Sequence, residues 1–145
     1  MDAPPPDPLL SLPGYVLRRA SAAMMAELAL RLAPLDLRNV EATILLSLAA
    51  HPGMSQSALG RKLGIKRANM TPLAARLEAR GLIRRRAQDG RTLELELTET
   101  GTSRANEVSK ATNAHEQALM DRIPARHRPH LLPALQALWS EAEGD

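Results

Sequence analysis

The sequence predicts a mainly α-helical chain that carries one small β-hairpin. Its 145 residues include no Phe, one Tyr and one Trp, so Leu, Ala, Ile, Val and Met must fill the interior, a composition that favours helices. Between Ser55 and Arg91 lie ten of the nineteen Lys and Arg residues but two of the sixteen Asp and Glu residues, a local balance of +8 inside a chain of net charge +3. That basic segment has an internal order: a short helix, a tight turn, a second helix and a basic hairpin. The order is that of a winged helix-turn-helix, here flanked by helices at both chain ends.

The elements follow in order. Residues 1–10, opening MDAPPPDPLL, read as a disordered tail, because consecutive prolines deny the backbone donors and helical freedom. Ser11 is the expected N-cap of a first helix, with Pro13 tolerated in the first turn and apolar residues at Val16, Ala20, Met24, Leu28 and Leu32. Pro34 ends it, and residues 11–35 form the first unit. A second helix carries Val40, Ile44, Leu45 and Leu48 and closes at His51-Pro52-Gly53. Ser55 caps a third helix with Leu59 and Leu63 facing inward and Gly64 as its left-handed stop.

The fourth helix places Met70, Leu73 and Leu77 on one side and stops at Gly81. Pro72 interrupts the pattern, so this helix either begins late, with Asn69 as cap, or bends at Ala68; the late start is preferred. Leu82 to Arg86 and Thr92 to Leu97 bracket Gln88-Asp89-Gly90-Arg91, a hairpin turn signal, and Leu93, Leu95 and Leu97 alternate as a half-buried strand does. Residues 36–100 form the winged unit. Thr98 caps a long fifth helix with Ala105, Val108, Ala111, His115 and Leu119 along one side. After Ile123-Pro124 a last helix carries Leu131, Leu132, Leu135, Leu138 and Trp139, kinked at Pro133, and residues 101–145 form the C-terminal unit.

Side chains that read base edges in the major groove are long, polar and projected from the first turns of the second helix of such a motif. Lys66 and Arg67 suit guanine or phosphate, Asn69 adenine, and Thr71 either an edge or a thymine methyl. Ser55 and Arg61 on the third helix join the set on the backbone side, as does Arg76, which lies two turns beyond Asn69. Arg84, Arg85 and Arg86 cannot all face one way on a strand, so one or two flank the DNA backbone while the third faces elsewhere. Arg91 at the hairpin tip fits a minor groove, with Asp89 placed to orient it.

Other classes fare worse. There is no Cys, hence no disulfide or thiolate metal site, and no Gly-rich phosphate loop or nucleophile elbow, so neither an enzyme nor a cofactor is expected. His127 and His130 with His115 and Glu116 offer only a weak metal constellation, and a metal-responsive regulator remains the alternative, beside a winged module for protein or RNA contact. No apolar run spans a bilayer and the start is no signal peptide, so a cytoplasmic protein without membrane contact is expected. The apolar stripes of the terminal helices exceed what one short domain covers, which predicts a two-fold dimer; packing of the last helix onto its own chain is the alternative for Trp139.

LGRKLGIKRANMTPLAARLEARGLIRRR followed by QDGRTLELELTETG resembles the multiple antibiotic resistance regulator (MarR) family of bacterial transcription factors, with Asp89-Gly90-Arg91 as the wing signature and Leu97, Thr98 and Gly101 opening the next helix. The likeness covers nearly the whole chain after the tail. It implies a homodimer with intertwined terminal helices, a near-palindromic operator in duplex DNA, and regulation, expected to be repression. It also implies a small anionic or phenolic effector between the dimer helices and the winged unit, for which Tyr15, Arg19 and His51 are the convergent polar candidates. Two departures stand out: Gly60 replaces the usual Ala, and Pro72 replaces a frequent Arg, which removes one usual DNA contact.

Overall fold

The computed structural model describes residues 3–88 and 92–139. Helices α1 (Pro13–Leu32), α2 (Asn39–Ala50), α3 (Gln56–Leu63) and α4 (Arg67–Ala79) precede strands β2 (Ile83–Gln88) and β3 (Thr92–Leu97), with a short β1 (Met54–Ser55) between α2 and α3. Helices α5 (Glu99–Arg122) and α6 (Arg128–Leu138) complete the chain. The sheet is antiparallel in the order β1-β3-β2, with Arg84 opposite Glu96 and Arg85 opposite Leu95. This is the mainly α, winged architecture that the sequence predicts.

Leu32, Ile44, Leu45, Leu48, Leu59, Met70, Leu77, Ile83, Leu95 and Val108 are fully buried in one cluster, so α1, α5 and the winged elements share a core. Helix α5 runs against both α1 and α2. Among the described residues no helix is long and apolar enough to cross a membrane.

Several local expectations need correcting. Residues 8–11 form a single 3-10 turn rather than tail, and Asp7 caps it by accepting from the Leu9 N–H at 2.9 Å. Ser11 therefore lies inside that turn, where its hydroxyl donates to the Pro8 carbonyl, and α1 starts without a side-chain cap. Helix α4 opens at Arg67 with extended Lys66 before it, so Asn69 is not the cap. Pro72 is accommodated inside the helix: the Ala68 carbonyl loses its helical donor, but both residues are exposed and water can serve it. Finally, β1 was not foreseen, and Leu93 remains 48% exposed because the buried face of β3 ends at Leu95.

An ion pair joins α1 to α5. Arg122 donates to the Glu27 carboxylate, and that hydrogen bond, followed by the charge of Arg122 at close range, holds Glu27 below the usual carboxylate range. A carboxylate with a depressed native value contributes stability above its unfolded value, and the contribution is lost as pH falls through the native one. The parent protein is therefore expected to melt higher than Glu27→Gln at neutral pH, with a small gap that closes as pH is lowered through the carboxylate range. Melting curves of both proteins across that range check it.

Candidate nucleic-acid interface

The turn between α3 and α4 is built by three local devices. The Ser55 hydroxyl caps α3 by accepting from the Ala58 N–H at 3.1 Å. Gly64 then adopts φ of 67°, a left-handed conformation that side chains resist, and lets the Ile65 N–H reach the Gly60 carbonyl at 2.8 Å. With the chain reversed so tightly, α4 buries Met70, Ala74 and Leu77 and leaves Lys66, Arg67, Asn69 and Thr71 exposed on its first turns.

A polar chain that the sequence reading missed fixes this helix to the hairpin. Arg85 turns away from its neighbours, donating to Glu78 of α4 at 2.7 Å and to Gln56 at the start of α3 at 2.9 Å. Gln56 in turn donates to Thr71 at 3.3 Å. Gln56, Thr71 and Arg85 border a groove of about 700 Å³ that Ser55, Arg61 and Arg67 also line. Strand alternation sets Arg85 apart from Arg84 and Arg86, but nothing local in the sequence marks Gln56 or the partners of Arg85, which come from separate elements.

Of the other candidates, Arg61 is exposed on α3. Arg84 and Arg86 share one face of the hairpin with Glu96, Arg84 in a close ion pair and Arg86 at 3.9 Å, and remain 65% and 72% exposed. Asp89 and Arg91 lie outside the described residues. Arg76 also has a partner within the chain: its guanidinium Nε sits 3.1 Å from the buried Glu41 carboxylate of α2, with 43% of the side chain exposed.

The effector candidates do not converge. Tyr15 is half-buried and Arg19 exposed on the first half of α1, while His51 is exposed in the turn after α2. A cleft of about 620 Å³ does lie between the end of α1, the start of α2 and α4, lined by Met25, Ala29, Leu37, Val40, Arg38 and Arg76 among others, and none of the three lines it. His115 is buried with its Nδ1 unbonded, whereas His127 and His130 are exposed and His127 accepts from Arg126. Among the described residues no three His, Cys, Asp or Glu side chains group to hold a metal ion.

Comparison with known proteins is decisive at this point. The MarR family profile matches residues 35–92. A transcriptional repressor, CouR, solved bound to a 23-mer DNA duplex, is 32% identical with a TM-score of 0.84, over 90% of this chain and 94% of that one. The chain belongs to the MarR family. It is thus a transcriptional regulator and not an enzyme. CouR bound to p-coumaroyl-CoA is 30% identical with a TM-score of 0.81, over 90% of this chain and 93% of that one. A probable transcriptional regulator from Pseudomonas aeruginosa is 25% identical with a TM-score of 0.82, over 90% of this chain and 99% of that one. No curated protein sequence matches the chain. Within the MarR family Gly101 acquires a physical reason: a Cβ there would lie 1.8 Å from the Leu82 carbonyl oxygen, so helix and hairpin could not meet as they do.

Proposed function

We propose that the chain is a homodimeric repressor that binds a near-palindromic operator in duplex DNA and whose affinity is set by a small anionic or phenolic effector. The observation that carries this reading is the exposed stripe Lys66, Arg67, Asn69 and Thr71 at the start of α4, beside exposed Arg61, Arg84 and Arg86. Such a stripe offers both phosphate neutralisation and base-edge donors in one groove-sized helix. The DNA-bound relative at 32% identity supports the nucleic acid, and the p-coumaroyl-CoA-bound relative at 30% supports an effector of aromatic acyl type. Arg76 keeps its proposed place on the backbone side, with its Nε 3.1 Å from Glu41 and 43% of its side chain exposed. Asp89 and Arg91 keep their proposed places at the wing tip.

Selection of bound duplexes from a random library, followed by titration, tests it. The selected site is expected to be an inverted repeat whose affinity falls steeply with salt, as counterion release requires. Asn69→Ala is expected to cost about 1 to 3 kcal/mol and relax base preference at one position of each half-site. Arg91→Ala is expected to weaken all duplexes alike and flatten the salt slope by about one unit. Equal affinity of the parent for selected and random duplexes would refute the function.

A further inference from the structure

Glu41 occupies the third position of α2, and its side chain is fully buried. An ionised carboxylate is tolerated there only if donors and positive charge surround it. The Arg38 N–H donates to it at 2.9 Å, and the amide dipoles at the start of α2 favour negative charge. Three guanidinium groups then approach: Arg76 at 3.1 Å, Arg38 at 3.5 Å and Arg80 at 4.0 Å. Arg80 has a second hold, donating to the Asp36 carbonyl at 2.7 Å and pairing with its carboxylate at 3.6 Å. Both Arg76 and Arg80 sit at the C-terminal end of α4, so Glu41 and Asp36 tether the recognition helix to the junction of α1 and α2.

Buried ion pairs are poor stabilisers compared with apolar side chains of the same shape, so stability alone does not account for this cluster. Direction does. Arg76 follows Asn69 by two helical turns and so lies on nearly the same stripe of α4. A hold on Arg76 therefore fixes the roll of the helix about its own axis. A roll of about 20° would move a side-chain end ~6 Å from the axis by ~2 Å, more than a hydrogen bond to a base edge tolerates.

We infer that Glu41 is a positioning residue for base reading: by gripping Arg76 and Arg80 it sets the roll of α4, and with it the places where Arg67 and Asn69 meet the bases. The inference rests on the DNA-binding function proposed above. Neutralising Glu41 leaves the exposed cations intact and removes one negative charge per chain, so binding to arbitrary duplex holds or rises while discrimination falls.

The test is competition binding of Glu41→Gln and the parent, with the duplex that the parent enriches from a random library and a random-sequence duplex of equal length. The ratio of the two affinities is expected to fall about tenfold, with random-duplex affinity unchanged or higher. That ratio is independent of the folded fraction, so a merely destabilised protein would keep the parent ratio, and that outcome overturns the inference. Arg76→Gln, which leaves Glu41 with Arg38 and Arg80, gives a second measurement should Glu41→Gln not fold; its ratio is expected to fall as well, and an unchanged ratio overturns the inference. A parent that enriches no duplex overturns the DNA-binding function and this inference with it, whereas an enriching parent beside an unchanged variant ratio overturns this inference alone.

Discussion

Gly101→Ala is expected to destabilise the protein by about 3 kcal/mol, lowering its melting temperature by roughly 10 °C, far more than the loss of one glycine would ordinarily matter. The reason is geometric. Thr98 caps α5 by accepting from the Gly101 N–H at 2.9 Å, and the same Thr98 donates its own N–H to the Leu82 carbonyl at 3.1 Å and its hydroxyl to the Gly81 carbonyl at 2.6 Å. The last two of these hydrogen bonds draw the first turn of α5 against Gly81 and Leu82 just beyond α4, and the Leu82 carbonyl lies where a Cβ at position 101 would stand, 1.8 Å away. Backbone, not a flexible side chain, is the obstacle, so relief requires parting α5 from the root of the hairpin. Gly14→Ala is the control: no atom lies within 4 Å of a Cβ at that position, and an alanine in α1 is expected to be neutral or slightly stabilising. Thermal unfolding of the two variants beside the parent checks both, and a Gly101→Ala melting point within about 2 °C of the parent would contradict the packing described.

The elements that the sequence announced are those whose signals are local. Ser55, Gly64, Thr98 and the inward-facing Leu95 and Leu97 each act within a few residues of themselves, and each does what its type and position suggest. The failures share the opposite character. Strand β1 is two residues long, too short for any period to show, and exists because Met54 and Ser55 meet Leu95 and Glu94 of a distant strand. Ser11 looked like a cap because hydroxyls usually are, yet Asp7 starts the turn before it. Proline at position 72 argued for a late helix start, but the Met70, Ala74 and Leu77 packing outweighs one lost hydrogen bond near an exposed terminus.

The same division runs through the site. Lys66, Arg67, Asn69 and Thr71 were legible because a helix of known polarity following a turn presents its first residues outward. The partner of Arg76 was not legible: Glu41 looks in sequence like an ordinary acidic residue in the first turn of a helix, and only the fold brings the two together. That one of the three arginines faces away from the other two follows from strand alternation, but Gln56 and the partners of Arg85 were not legible, since they meet only when α3, α4 and the hairpin converge. The effector candidates rest on polarity alone, which says nothing about where a cavity will open; the cleft lined by Arg38 and Arg76 draws on residues from α1, α2 and α4.

The paired substitution Leu132→Glu with Leu135→Glu is expected to convert the protein to a monomer and to lower its affinity for the selected duplex by roughly ten-thousandfold, while leaving the helical circular dichroism of the protein intact. In a single chain Leu132 is 63% exposed and Leu135 39%, so charge there meets no intramolecular core. Neither stands alone: of the twelve large apolar side chains left exposed among the described residues, nine lie in the terminal segments, including Leu9, Leu10, Leu12 and Val16 at one end and Leu138 and Trp139, at 71% and 65%, at the other. An apolar surface so concentrated is costly in water and is relieved when a second copy covers it. A dimer that reads two half-sites gains affinity from both recognition helices through one association, whereas a monomer retains the contacts of one. If the dimer binds its site at ~1 nM, half of that free energy corresponds to a dissociation constant of tens of micromolar, which is about the strength of non-specific attachment. Sedimentation of parent and variant at micromolar concentration, followed by titration onto the selected duplex, separates the possibilities: a parent that sediments as a monomer, or a variant that stays dimeric and binds as the parent does, would show that the terminal helices do not make the interface.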